Sequence, residues 1–138
     1  MTTDKTGVCF RYQGASDGKD LDCLGNPIAS GANVLARISY DASPAIGQRT
    51  LLCTAQEKSA QILVDGLADF VWFAPPKTNG TNQAMRYAAL FATEKAVLDG
   101  ITSGVSAKWK ALTNRTLTDT TRGMQIVQGS TTLRNLMQ

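Results

Sequence analysis

The stretch Thr81–Leu98 constrains the fold more than any other part of the chain. Ala84, Ala88, Ala92 and Ala96 recur every fourth position, while Tyr87, Leu90, Phe91, Val97 and Leu98 supply large apolar groups and only Arg86, Glu94 and Lys95 are charged. This spacing predicts a helix that is apolar nearly all round, and such a helix must be buried on more than one side. The chain has 138 residues, enough for one domain with a hydrophobic core but with little room to bury such a helix alone. A partner subunit is the natural second surface. The expected interface is Ala84, Ala88, Phe91, Ala92 and Ala96, in a homodimer or larger assembly.

Composition excludes several function classes. Charged residues make up 18% and apolar residues 43%, a balance that excludes disorder across the whole chain. The longest apolar run, Ile62–Pro76, is broken by Asp65 and Asp69, so neither a transmembrane helix nor a membrane partner is expected. Met1–Gly7 has no apolar run, and no secretion signal is expected. The chain contains no histidine, which removes the commonest general base and the commonest metal ligand together. No nucleophile elbow, phosphate-binding loop or dinucleotide fingerprint occurs. No enzymatic activity, cofactor or metal is therefore expected.

Asp17, Asp20 and Asp22 beside Gly18 lack the spacing and closing glutamate of a calcium loop and read as a polar turn. Cys9, Cys23 and Cys53 do not make a disulfide framework. Cys9 and Cys53 fall in strand-like runs as small hydrophobes; Cys23 lies in a polar loop, from which a hairpin would bring it to Cys9 in an oxidising setting.

Alternation sets the strand order. Gly7–Gln13 is followed by turn formers, with Leu21–Leu24 as a short return strand completing an N-terminal hairpin. Asn33–Tyr40 has Val34, Ala36, Ile38 and Tyr40 on one face, the pattern of a sheet with one buried side. Gln48–Gln56 returns after a Ser43–Gly47 connection, and Glu57-Lys58 reads as a tight turn. Ser59–Val64 and Ala68–Ala74 then read as two strands joined at Asp65-Gly66. Connections this short make antiparallel neighbours.

Pro75-Pro76 stops the series, Asn79-Gly80 turns the corner, Thr81 or Asn82 caps the long helix and Gly100 ends it. Val105–Leu112 reads as a short helix anchored by Trp109, and Gly123–Gln128 as a strand within a threonine-rich arm. The expected class is α+β: an antiparallel meander of five to six strands, one long and one short helix, and a C-terminal arm. The domain spans residues 1–112, and the arm, 113–138, packs on it or on a neighbouring subunit.

Acids outnumber bases up to Asp69, and bases dominate beyond it. Phe70, Trp72 and Phe73 read as a strand buried on both faces, against the alternative of a base-stacking platform. Arg11, Arg37 and Arg49 each fall on the non-core face of their strands, beside Gln13, Asn33, Ser39 and Cys53. Guanidiniums on a rigid sheet are phosphate donors, so these three are the candidate nucleic-acid contacts.

The order of elements resembles the coat proteins of single-stranded RNA phages. The local likeness runs through Ala36–Ser43, Gly47–Thr50 and Phe70–Ala74, then by a Pro/Thr/Asn corner into Thr81–Leu98. The resemblance implies an N-terminal hairpin, a meander, and C-terminal helices that lock two subunits together with the bare sheet face turned to the genome. It implies a self-assembling coat or capsid-associated protein, found in a virion assembled in the bacterial cytoplasm. RNA would be its partner, held by Arg37 and Arg49 with Arg11 beside them. The chain departs from that family in having few strands between Gln56 and Phe70 and about forty residues after the first helix. A decoration or tail protein of a virion fits the same composition. The alternative from another class is a small dimeric bacterial module that binds a ligand or nucleic acid without catalysis.

Overall fold

The computed structural model describes residues 2–3, 7–56, 58–73, 84–96, 103–119 and 121–132. They form one antiparallel sheet and one helix. The strands are β1 (Thr2–Thr3), β2 (Gly7–Gln13), β3 (Asn33–Asp41), β4 (Arg49–Ala55), β5 (Gln61–Phe73), β6 (Ala84–Ala92) and β7 (Met124–Thr132), with α1 (Ser103–Thr113) between the last two. Their spatial order is their sequence order, a seven-stranded meander.

The long helix expected at Thr81–Leu98 is a strand over Ala84–Ala92, and Thr93–Ala96 beyond it are not helical either. Ala84–Ala92 pairs with β5 on one side and β7 on the other. A central strand with apolar clusters on both of its faces, Trp109 with Ala88 and Leu90 on one and Phe70 with Ala89 on the other, is apolar all round, as a buried helix is. Residues four apart share a face in either conformation, because four is a multiple of two and close to 3.6. The helix preference of alanine yields here to two ladders of backbone hydrogen bonds. The cap at Thr81 or Asn82, the Pro75-Pro76 stop, the Asn79-Gly80 corner and the Gly100 terminus lie outside the described residues, as does Glu57 of the expected tight turn.

Two further expectations are corrected. Leu21–Leu24 forms no strand; Leu21 makes an isolated bridge with Pro27, and β2 pairs directly with β3. Asp65-Gly66 does not turn the chain, because β5 runs through it as a single 13-residue strand. Gly66, at φ +79°, takes up a bulge there, where Val64 and Leu67 flank two residues set against Thr50 alone. A left-handed glycine is a common way to insert an extra residue into a strand. β5 adds another residue at Leu63, between the pairs Leu51–Val64 and Leu52–Ile62, and a third at Ala68, between Leu67–Phe91 and Asp69–Leu90.

The two halves of the sheet are covered on opposite faces. Over β2–β4 the buried side chains are Val8, Val34, Ala36, Cys53 and Ala55, and the polar loop 14–32 covers them with Ile28, which is also buried. A disulfide from Cys23 to Cys53 staples this loop down, with Cα atoms 6.2 Å apart. The hairpin pairing of Cys23 with Cys9 does not form: Cys9 is opposite Arg37 and Cys53 opposite Ile38, so the two thiols lie on opposite faces of the sheet. Asp17, Asp20 and Asp22 each accept a backbone N–H within the loop, from Lys19, Ala15 and Leu24 respectively.

Over β5–β7 the covering element is α1. Trp109 is fully buried against Ala68, Ala88 and Leu90, with Val105, Leu112, Leu117, Met124 and Ile126 around it. The chain after residue 112 passes this cluster and returns as β7, paired with β6 at nine consecutive positions.

Candidate nucleic-acid interface

The site is built by register. Arg11 lies opposite Leu35, and Arg37 lies opposite Cys9 on one side and Thr54 on the other. All five therefore share one face, the one turned away from the stapled loop. Arg11 and Arg37 occupy diagonal positions on neighbouring strands, roughly 7–8 Å apart by sheet geometry. Gln13, Asn33 and Ser39 lie on the same face; Arg11, Gln13, Asn33 and Leu35 are exposed, Cys9, Arg37, Ser39 and Thr54 are half-buried, and Thr50 at its β4 end is buried. Ile62, 63% exposed, continues it onto β5 opposite Leu52. The arrangement places Arg11 and Arg37 with a row of small polar groups on a rigid backbone.

Arg49 does not join them. β4 pairs with β3 as Tyr40 to Leu51 and Ile38 to Cys53, which turns Leu51, Cys53 and Ala55 towards the buried side. Arg49 donates through Nε to the Pro44 carbonyl at 3.1 Å and through one Nη to the Ala68 carbonyl at 2.8 Å and the Tyr40 hydroxyl at 3.3 Å. Ala68 is the bulged residue of β5, and a bulge turns a carbonyl out of the ladder. Arg49 satisfies it. The residue expected to touch RNA instead repairs the sheet.

The bulge also sets Asp69 on the α1 side. Its carboxylate accepts from Trp109 Nε1 at 3.2 Å and from Arg115 at 2.7 Å, fastening the helix and the segment after it to β5. Trp109 is thus an anchor and has no surface to offer a base. A cleft of about 430 Å³ opens beside this contact, lined by Ile46, Arg49, Asp69, Arg115, Leu117 and Met124 among others. Arg49, Asp69 and Arg115 are all engaged within the chain.

Phe70, Trp72 and Tyr87 form an aromatic cluster with Tyr40 on the face opposite α1, with centroid separations of 4.9–6.2 Å. Val71 and Phe73 pack on the α1 side. The aromatic strand is therefore two-sided, and its aromatic face is the one away from Arg11 and Arg37.

The residues expected at a subunit interface have been redistributed. Ala88 is buried beneath the chain's own Trp109, Ala92 packs at the edge of the same cluster, and Phe91 faces the aromatic side. Ala96 is exposed beyond the end of β6, and Ala84 opens that strand. The small side chains of Ala88 and Ala92 there admit the indole of α1. What sequence reasoning passed over is the neutrality of β7, legible in Met124–Thr132 as nine residues without a charge.

Among the described residues no helix is long and apolar enough to cross a membrane, and no cluster of three side chains could hold a metal ion. Comparison with protein-family models, with curated proteins and with solved structures gives no match.

Proposed function

We propose that the chain is a self-assembling structural protein of a virion, of the coat or capsid-associated kind found in single-stranded RNA phages, and that it has no catalytic role. The observation that carries this reading is the half-face over β2–β4, where Arg11 and Arg37 stand on a rigid sheet that α1 leaves uncovered. Such a surface reads phosphate without reading sequence, as packaging a genome requires. The staple and the anchored helix keep that surface rigid.

The test has two arms. The purified chain is sized by light scattering, with absorbance at 260 and 280 nm recording RNA that co-purifies; RNA-containing particles or dimers are the expected result. Arg11→Gln with Arg37→Gln is then compared with the parent for RNA affinity against salt. Each lost phosphate contact flattens the slope of log K against log salt by roughly 0.7 for single strands. An unchanged slope removes the arginines from the interface. A monodisperse, RNA-free dimer favours the ligand-binding alternative, with the cleft beside Asp69 as the place to look.

A further inference from the structure

The cleft beside Asp69 holds a charge that the chain does not answer. Its ionised lining residues are Arg49, Asp69, Arg115 and Asp119. The carboxylates are saturated. Asp69 accepts from Arg115 and the Phe70 N–H at one oxygen and from Trp109 at the other. Asp119 accepts the backbone N–H and hydroxyl of Thr121 at one oxygen and Arg122 at the other. Each also has its own cation, Arg115 and Arg122 respectively, at 2.7 Å. The guanidiniums are not saturated, since each has more N–H donors than it uses. Arg115 donates only to Asp69, and the second Nη of Arg49 has no partner among the described residues. Arg49 also lacks a counter-ion. Its partners are the Pro44 and Ala68 carbonyls and the Tyr40 hydroxyl, all neutral, and among the described residues no carboxylate pairs with it. It is half-buried, and a charge drawn out of water without a counter-ion is costly.

We propose that this cleft binds a small organic anion, a carboxylate or phosphate group on a compact apolar body, through the unused N–H donors of Arg49 and Arg115. Spare donors beside saturated acceptors select an anion over a cation. A carboxylate or phosphate is rich in acceptors and matches the fork of a guanidinium. Ile46, Leu117 and Met124 line the same cleft and offer the apolar body a surface continuous with the cluster around Trp109. The volume of about 430 Å³ falls within the range of small-molecule sites. Both guanidiniums are held before a ligand arrives, Arg49 by the bulge carbonyl of Ala68 and Arg115 by Asp69, which lowers the ordering cost of binding. The site shares no residue with the Arg11–Arg37 surface, so its failure leaves the self-assembly reading untouched.

NMR titration of the isotope-labelled full chain tests this with benzoate, phenyl phosphate and inorganic phosphate, and with benzyl alcohol as the neutral control. Benzoate or phenyl phosphate is expected to give saturable shifts at the side-chain N–H groups of Arg49 and Arg115 and at the amides of Asp69 and Leu117. Benzyl alcohol is expected to give none. A response to only one of the two aromatic anions upholds the site and assigns its headgroup. Arg49→Gln is expected to weaken binding by roughly tenfold or more, as loss of a charge-assisted contact does. Because Arg49 also holds Ala68, Thr118→Trp is the second variant. It fills the cleft from an exposed lining position, leaves both arginines in place, and is expected to abolish the shifts with the thermal transition retained. No saturable shift from either aromatic anion at concentrations on the order of 10 mM overturns the proposal. So does a benzyl alcohol response equal to that of benzoate, or binding that survives both variants. A response to inorganic phosphate alone reduces the site to an adventitious ion only and overturns it as well.

Discussion

The β2–β4 half of the sheet and the β5–β7 half solve the same burial problem by different chemistry. The first covers one face with an irregular polar loop that contributes little apolar surface beyond Ile28 and is fixed by a covalent bond. The second covers the other face with a helix whose Trp109 reaches into a floor made small by Ala68 and Ala88. A loop rich in aspartate and glycine cannot repay its ordering entropy by packing, and a cross-link lowers that cost by constraining the unfolded chain. A helix with one large apolar side chain needs no such constraint. One half is therefore sensitive to redox conditions and the other to cavities.

The largest expected effect comes from Trp109→Ala. Emptying a fully buried indole site costs about 3–5 kcal/mol, a large part of the stability of a domain this size. Hydrogen exchange on this variant is expected to show α1 and residues 113–119 losing protection before the β2–β3 ladder. Equal loss in both places would mean that the halves unfold as one unit. Reduction of the Cys23–Cys53 bond, or the Cys23→Ala/Cys53→Ala pair, is expected to cost about 2–4 kcal/mol for a bond that spans 30 residues. Thermal melts with and without reductant measure it. Cys9→Ala is the control and should move the transition far less, because that thiol is unbonded.

The smallest effect sharpens the comparison at the junction of β6 and β7. Asp119 holds Thr121 and Arg122, and Arg122 donates in turn to the carbonyls of Thr93 and Glu94. Hydrogen bonds from the Thr121 hydroxyl and backbone N–H, then from Arg122, lower the Asp119 carboxyl from 3.8 to about 2. A depressed carboxylate stabilises the fold fully above its unfolded pKa, and that contribution is lost as pH falls through the folded one. The contact is therefore expected to persist below pH 4 and to open near pH 2, read from the Asp119 carboxyl carbon by NMR. Thr121→Ala should return the midpoint towards 3.8 further than Arg122→Gln does.

What could be read without the structure follows from which periodicities are unambiguous. β2 and β3 alternate apolar with polar groups over seven and nine residues, and their bounds were legible. α1 and the onset of β7 were legible too, from Trp109 and from Met124 with Ile126. β6 was not, because alanines four apart satisfy both periods and only pairing partners decide between them. β4 carries a leucine on each face, Leu51 and Leu52, so its alternation does not say which face is buried. That ambiguity misplaced Arg49 with the surface arginines and hid Cys53 from Cys23. Gly66 after an aspartate carries the local signature of a turn, and a bulge uses the same left-handed glycine. Of the candidate contacts, Arg11 and Arg37 kept their face because β2 and β3 were phased correctly.

The three residues that β5 sets aside, at Leu63, at Asp65-Gly66 and at Ala68, have a consequence for shape. Each lengthens β5 relative to a neighbour over the same span. Parallel fibres of unequal length joined along their sides cannot lie flat, and a bulged strand bends and twists more than its neighbours. The radius of the sheet is thus counted out in whole residues on one strand. In the shell proposed above, subunit curvature would multiply into the diameter of the container, so deleting one of these residues is expected to alter its capacity before any contact with its contents.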